Sequence, residues 1–256
     1  MNKFVPAAVL AAVTALPAHA ELSNYSMVGP GLRSRPAYDG SDTQRGEVVP
    51  VIRYLGQPLF LRSTQGVLEG GLRMQVAPGL HAGAQVAYEP GRRADESGFL
   101  ESRGVPDVDR GASVGAQLEW DSTIGPAPIT LLARVRRHVE SDRGTQADLR
   151  FSVGVLKTGA LGVGLFAQTT WGSGSAIRSL YGISAAESAT TGLRAYSPDS
   201  GLLFASAGLL WSYDITPKWV AVGNFELRHL GSEAKDSPLA QRSTNHYLAA
   251  GIAYRF

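Results

Sequence analysis

The sequence predicts an all-β chain closed into a transmembrane antiparallel up-and-down β-barrel of about 12 strands, with a ten-stranded barrel as the alternative. Three observations predict it. Apolar residues alternate with a period of two, the links between strands sort by length onto opposite ends, and an aromatic final strand stops at Phe256. Thirty glycines, 44% apolar content and the lack of a long 3.6-residue periodicity point the same way.

In chain order, residues 1–20 read as a signal peptide. Lys3 supplies positive charge, residues 4–16 an apolar core, and Ala18-His19-Ala20 a small-residue cleavage site. The barrel is then expected over 21–256 in the outer membrane of a Gram-negative bacterium, surrounded by outer-membrane lipid and lipopolysaccharide. No later stretch offers the roughly 18 uncharged apolar residues of a transmembrane helix, so a membrane can be crossed only by strands.

Strands are expected near 22–34, 47–55, 58–63, 67–77, 80–89, 112–121, 128–139, 148–157, 160–171, 201–214, 218–230 and 245–256. Leu68, Gly70, Leu72, Met74 and Val76 alternate with Glu69, Gly71, Arg73 and Gln75. Leu203, Ala205, Ala207, Leu209, Trp211 and Tyr213 form one apolar face, and the strand after it turns Glu226 and Arg228 the other way. At the end, Leu248, Ala250, Ile252, Tyr254 and Phe256 oppose Asn245, Tyr247, Ala249, Gly251, Ala253 and Arg255. A soluble sandwich alternates too. The links discriminate: 56–57, 78–79, 122–127, 158–159 and 215–217 are short, whereas 35–46, 90–111, 172–200 and 231–244 are long. Short periplasmic turns and long external loops are the habit of outer-membrane barrels. The tight link at Thr64-Gln65 falls on the external end and is what leaves ten strands open.

By this phase Glu69, Arg73, Glu119, Arg134, Arg136, Arg150, Glu226, Arg228 and Arg255 point into the lumen. Both signs are present, so ion pairs should bridge the interior and leave a narrow or closed pore. Gly251, Tyr254 and Phe256 look like the signal that hands such chains to the barrel assembly machinery.

A net charge of +2 implies no nucleic-acid partner, and the absence of cysteine removes disulfides and thiolate chemistry. Twenty of the 24 basic residues are Arg, a bias that suits a barrel interior or a lipopolysaccharide-facing rim and equally a GC-rich genome. His81, His138, His229 and His246 lie on different strands, and none has a Ser and an acid at a hydrolase spacing, so no catalytic residue is assigned and polar filling is expected. Gly172-Ser173-Gly174-Ser175 lacks the Lys of a phosphate-binding loop. Tyr38 to Asp42 could offer oxygens to a cation or sugar, but Asp and Gly there read first as a turn. No metal or cofactor is expected.

The loops carry a resemblance. Arg35-Pro36-Ala37-Tyr38-Asp39-Gly40-Ser41-Asp42 resembles the P-x-Y-x-G-S-D segment of the MipA/OmpV family of outer-membrane proteins. Tyr88 with Gly91-Arg92, then Tyr181-Gly182-Ile183, Tyr196-Ser197-Pro198, Asp236-Ser237-Pro238-Leu239 and the final Gly251 to Phe256 follow in the family's order. Thr43-Gln44-Arg45 departs from it where relatives often place an aromatic before the Arg. The resemblance implies a non-enzymatic barrel, with Pro36, Tyr38, Gly40, Ser41, Asp42, Gly91, Arg92, Asp236, Ser237 and Pro238 as candidate binding-loop residues. It further implies a scaffold between a lytic transglycosylase and a penicillin-binding protein in murein synthesis. A narrow channel, a role in osmotic or antibiotic response, and, most remotely, a lipid hydrolase are the alternatives.

Overall fold

The computed structural model describes residues 25–256 apart from Gln65. The signal peptide expected over 1–20 therefore lies outside the described residues. Within them the chain forms β1 (Met27–Pro36), β2 (Gln44–Leu55), β3 (Leu59–Thr64), β4 (Val67–Ala77), β5 (Leu80–Glu89) and β6 (Gly111–Ile124). It continues through β7 (Ala127–His138), β8 (Thr145–Thr158), β9 (Leu161–Gly172), β10 (Gly201–Asp214), β11 (Trp219–Leu230) and β12 (Thr244–Arg255). These twelve strands of the described residues pair antiparallel with their sequence neighbours, and β12 returns to β1, so the sheet is a closed barrel. Closure removes the free edges that an open sheet would expose to lipid.

The dyad pattern sets the two faces. Leu72, Val86, Leu118, Leu165, Leu227 and Leu248 stand exposed on the outside, while Glu69, Gln85, Gln117, Arg150 and Glu226 are buried inside. Tyr54, Trp120, Tyr213 and Trp219 ring the end that carries the short turns, and Tyr88 and Trp171 mark the opposite end. Aromatic girdles of this kind sit at membrane interfaces. The two-residue turn before β5 uses Gly79 at φ 70°, where a Cβ would lie 2.3 Å from the Asp121 carbonyl oxygen. A left-handed residue pressed against a neighbouring strand has to be glycine.

Twelve strands, not ten, follow because the tight external link is real. β3 has six residues and pairs with β4 from Leu59↔Leu72 to Thr64↔Val67. β6 and β8 run beyond their expected ends. On β10 the expected face is broken at its external end, where the register shifts between Leu202 and Phe204 and Leu203 turns into a buried cluster.

The external loops are not plain loops. They carry α1 (Gly98–Arg103), α2 (Gly174–Tyr181), α3 (Ala185–Thr191) and α4 (Ser232–Lys235). Helix α3 starts at a capping box: the Ser184 hydroxyl accepts from the Glu187 amide at 3.2 Å while the Glu187 carboxylate accepts from the Ser184 amide at 2.7 Å. Leu100, Val105, Ile183 and Leu239 pack with Ala37 and Tyr38 in one small apolar core. Ile177, Tyr181, Leu203, Phe204, Leu230 and Ala234 form a second, which seats the loops on the barrel mouth.

Candidate functional site

The lumen and the loop cap above it are the candidate site. On the inner face from β3 to β8 the charges interlock. Glu69 is held by Arg62 and by Arg134 at 2.8 Å, and Gln85 donates to it at 3.2 Å. Arg62 also spans to Glu119 at 3.0 Å and to the Gln117 side-chain oxygen at 2.9 Å, and Arg73 closes on Glu119 as well. Asp148 accepts from Arg136 at 3.1 Å and from the Thr170 hydroxyl at 2.7 Å and lies 3.3 Å from Arg134 as an ion pair, and Arg136 continues to Glu89 at 3.2 Å. Each buried carboxylate thus sees two or more guanidinium groups or neutral donors, which is the condition for buried charge to offset its desolvation.

Six of the nine residues assigned to the lumen from sequence share this half of the barrel: Glu69, Arg73, Glu119, Arg134 and Arg136 are in the lattice, and Arg150 lies on its border, its guanidinium 4.1 Å from the centre of the Phe166 ring. Arg228 stands apart near the external end. It pairs with Glu226 at 3.0 Å and with Asp39 of the first loop at 2.8 Å, and it lies between the rings of Phe204 and Tyr247 at 4.0 and 4.4 Å. Arg255 sits at the rim that carries the short turns, bound to Asp214 and over Tyr25. Sequence reasoning missed Arg62 and Asp148. Asp148 stands two residues before Arg150 and shares its phase, so that signal was present; β3 is too short to show an alternation around Arg62.

The cap gathers the loop residues. Pro36 is fully buried, and the Tyr38 hydroxyl donates to the Leu239 carbonyl at 2.8 Å. The Gly40 amide donates to the Asn245 side-chain oxygen at 2.6 Å, and the Asn245 amide group donates back to the Ser41 carbonyl at 2.8 Å. Gly91 lies against the Val108 carbonyl, and Arg92 donates to the carbonyls of Leu180 and Pro106. The Ser237 hydroxyl donates to the Tyr181 carbonyl at 2.6 Å, and the Tyr181 hydroxyl to the Asp39 carbonyl at 3.1 Å. Burial pushes the Tyr38 and Tyr181 phenols up from their ordinary value, so both remain neutral donors. Asp42 and Asp236 are exposed, Pro238 is half-buried, and Asp236 lends its carbonyl to Arg194 at 3.0 Å. The motif from Pro36 to Asp42 is a turn whose polar atoms largely stitch loops together. Gly251 is on the inner face with a Cβ position 2.7 Å from the Pro30 carbonyl, Tyr254 meets Trp219 edge to face at 5.3 Å, and Phe256 is exposed.

Two other arrangements bear on chemistry. His81, Glu119 and Asp121 bring ligand-type atoms within 4.8 Å of one another, but Arg73 already binds Glu119 and lies 3.7 Å from Asp121, so a guanidinium supplies the positive charge there. His138 accepts from the Glu140 amide at 3.2 Å and His229 meets the Thr244 hydroxyl at 2.8 Å. Among the described residues no histidine is hydrogen-bonded to a serine.

The family model for MltA-interacting protein MipA matches residues 28–256. The chain belongs to this family. A relative named MltA-interacting protein from Escherichia coli (strain K12) is 28% identical over 262 residues, covering 99% of this chain and 98% of that one, and a relative of the same name from Shigella flexneri aligns equally. Among solved structures, LpxR from Salmonella typhimurium overlaps 90% of this chain and all of its own at 8% identity and a TM-score of 0.47. The translocator domain of the autotransporter NalP from Neisseria meningitidis overlaps 91% of this chain and 89% of its own at 10% identity and a TM-score of 0.48. The MipA family match, which spans nearly every strand and all the cap loops, is what carries the assignment.

Proposed function

We propose that this barrel is a non-enzymatic scaffold that holds a murein lytic transglycosylase of the MltA kind at the inner surface of the outer membrane and brings a penicillin-binding protein to it. The observation that carries the reading is the crowded lumen. Arginine–carboxylate pairs cross its β3 to β8 side under a roof of loops, with cavities of about 180 and 430 Å³ among the spaces that remain, whereas a wide channel needs a continuous water column. The relatives' name supplies the partner. Its docking surface is taken to be the periplasmic end, where the short turns present Lys157, Asp214, Lys218 and Arg255. On the same reading residues 1–20 are removed on export, and the strand ending at Phe256 is what the assembly machinery engages.

Affinity capture with purified lytic transglycosylase tests this directly. Retention on the immobilised barrel, above that on an unrelated barrel, is expected, and equal retention would remove the scaffold. Planar-bilayer recording tests the rival: steady open-channel current would make the protein a channel instead.

A further inference from the structure

The wall of the closed barrel is thin at one place, beside the short β3–β4 hairpin at the border of the ion-pair lattice. β2 pairs with β1 from Gln44 to Arg53, but with β3 only at Arg53↔Arg62, Tyr54↔Leu61 and Leu55↔Phe60. The β3–β4 hairpin is too short to accompany β2 further. Among the described residues, Gln44 to Val51 therefore have no ladder partner on that side. The last contact is made by a side chain, the Ile52 amide donating to the Ser63 hydroxyl at 3.0 Å. The adjoining ladders are weak as well. Pro30 and Pro50 stand opposite each other on β1 and β2, two residues without an amide proton, and β1 meets β12 at Val28↔Tyr254 and next at Gly31↔Gly251. Proline of this kind belongs to strand edges.

Behind this gap lies the cavity of about 430 Å³. Val51, Phe166, Leu210 and Val222 give it a largely apolar inner lining on which Arg53, Arg150 and Glu226 also stand, and Leu68 and Tyr88, which stand exposed on the outer face, border it as well. A cavity lined from both faces crosses the wall. The tip of the short hairpin forms the sill: Gly66 has φ 82°, and a Cβ there would collide with the Arg33 guanidinium. Irregular backbone at membrane depth is tolerated where it lines a cavity. At the upper rim three arginines, Arg33, Arg35 and Arg45, gather around the carboxylates of Glu47 and Glu96.

We propose that this window admits, sideways from the outer leaflet, the acyl chain of a long-chain fatty acid, whose carboxylate stays at the arginine-rich rim. The cavity is within the ~300–1,000 Å³ span of small-ligand sites, on the scale of one chain rather than the several of a larger lipid. A guanidinium fork suits a carboxylate. The proposal is independent of the scaffold reading, since the window opens to the membrane and the partner surface to the periplasm.

The test is titration of the full mature barrel in detergent with a fluorescent long-chain fatty acid, folding being checked by heat-modifiable gel mobility. Saturable binding is expected, with at least a tenfold loss when Val222→Phe fills the cavity and little change for Leu227→Phe on the outer face. Arg33→Gln should erase the preference for the acid over the matching alcohol while leaving the alcohol's binding in place. Should Val222→Phe misfold, Ala249→Phe, also on the cavity wall, replaces it. No saturable binding above an unrelated barrel, unchanged binding in the filled variants, or equal competition by a two-chain phospholipid would overturn the proposal.

Discussion

The two halves of this barrel solve the problem of a lumen differently. From β3 to β8 the inner face is densely charged and the space is taken up by a lattice of paired ions; from β10 round to β2 charge is sparser, the Arg228–Glu226 pair standing beside small and apolar residues such as Gly31, Val51, Val222 and Gly251 around a cavity. The first half, short β3 apart, also has long ladders such as that of β6 with β7, whereas the second contains the paired prolines and ends at the three-pair contact of β2 with β3. The contrast teaches that rigidity and accommodation are separated around one circumference: charge that must stay paired fixes one wall, and the other is left with room.

The strongest way to break this comparison is to remove one carboxylate from the rigid half. Glu69→Leu strips a buried partner from both Arg62 and Arg134 and should cost about 3–5 kcal/mol, seen as a lower midpoint of heat-induced unfolding in detergent. Val51→Ala in the open half should cost only about 1–2 kcal/mol by the same measurement. Equal losses would mean that the halves do not differ. Next comes the roof that both halves share. Asn245→Leu leaves the Gly40 amide and the Ser41 carbonyl without their partner, a loss of about 1–3 kcal/mol, and proteases should cut the external loops faster while the strands persist. At the edge of the roof, Ser184→Ala should cost about 1 kcal/mol, read as faster amide exchange in α3.

The same helix gives a pH dependence. Hydrogen bonds from Ser184 hold the Glu187 carboxyl below its ordinary value. A depressed carboxyl contributes stability that is complete above the ordinary glutamate range and is lost as pH falls through its lowered pKa. The protection of α3 amides, taken relative to the base-catalysed intrinsic exchange rate at each pH, should therefore fall on acidification, and a fall in protection towards alkaline pH instead would contradict the capping role. Least of all, Arg93→Ala should leave the unfolding midpoint where it is, because the Arg93–Asp95 pair is solvent-exposed.

Strand count, closure and the inward set of charges were legible in the sequence because a period of two is a local signal, repeated along each strand. The lattice partners were only partly so. Arg62 acts across three neighbouring strands, and nothing within six residues of β3 announces that. The cap was read as loops because its helices are short and its cores draw one or two apolar residues from each of several segments. The gap beside β2 came through indirectly, as the one external link too tight for its position; its meaning needed the register, which a sequence pattern does not carry.

One pair of contacts has a temporal consequence. Tyr38 meets Leu239 and Gly40 meets Asn245, partners separated by 201 and 205 residues, directly above the line where the first and last strands join. Such rivets can be driven only once the final strand is in place, when most of the chain-closure entropy has already been spent. The seam that is made last is therefore fastened from above, and unzipping a finished molecule there must begin by tearing its lid.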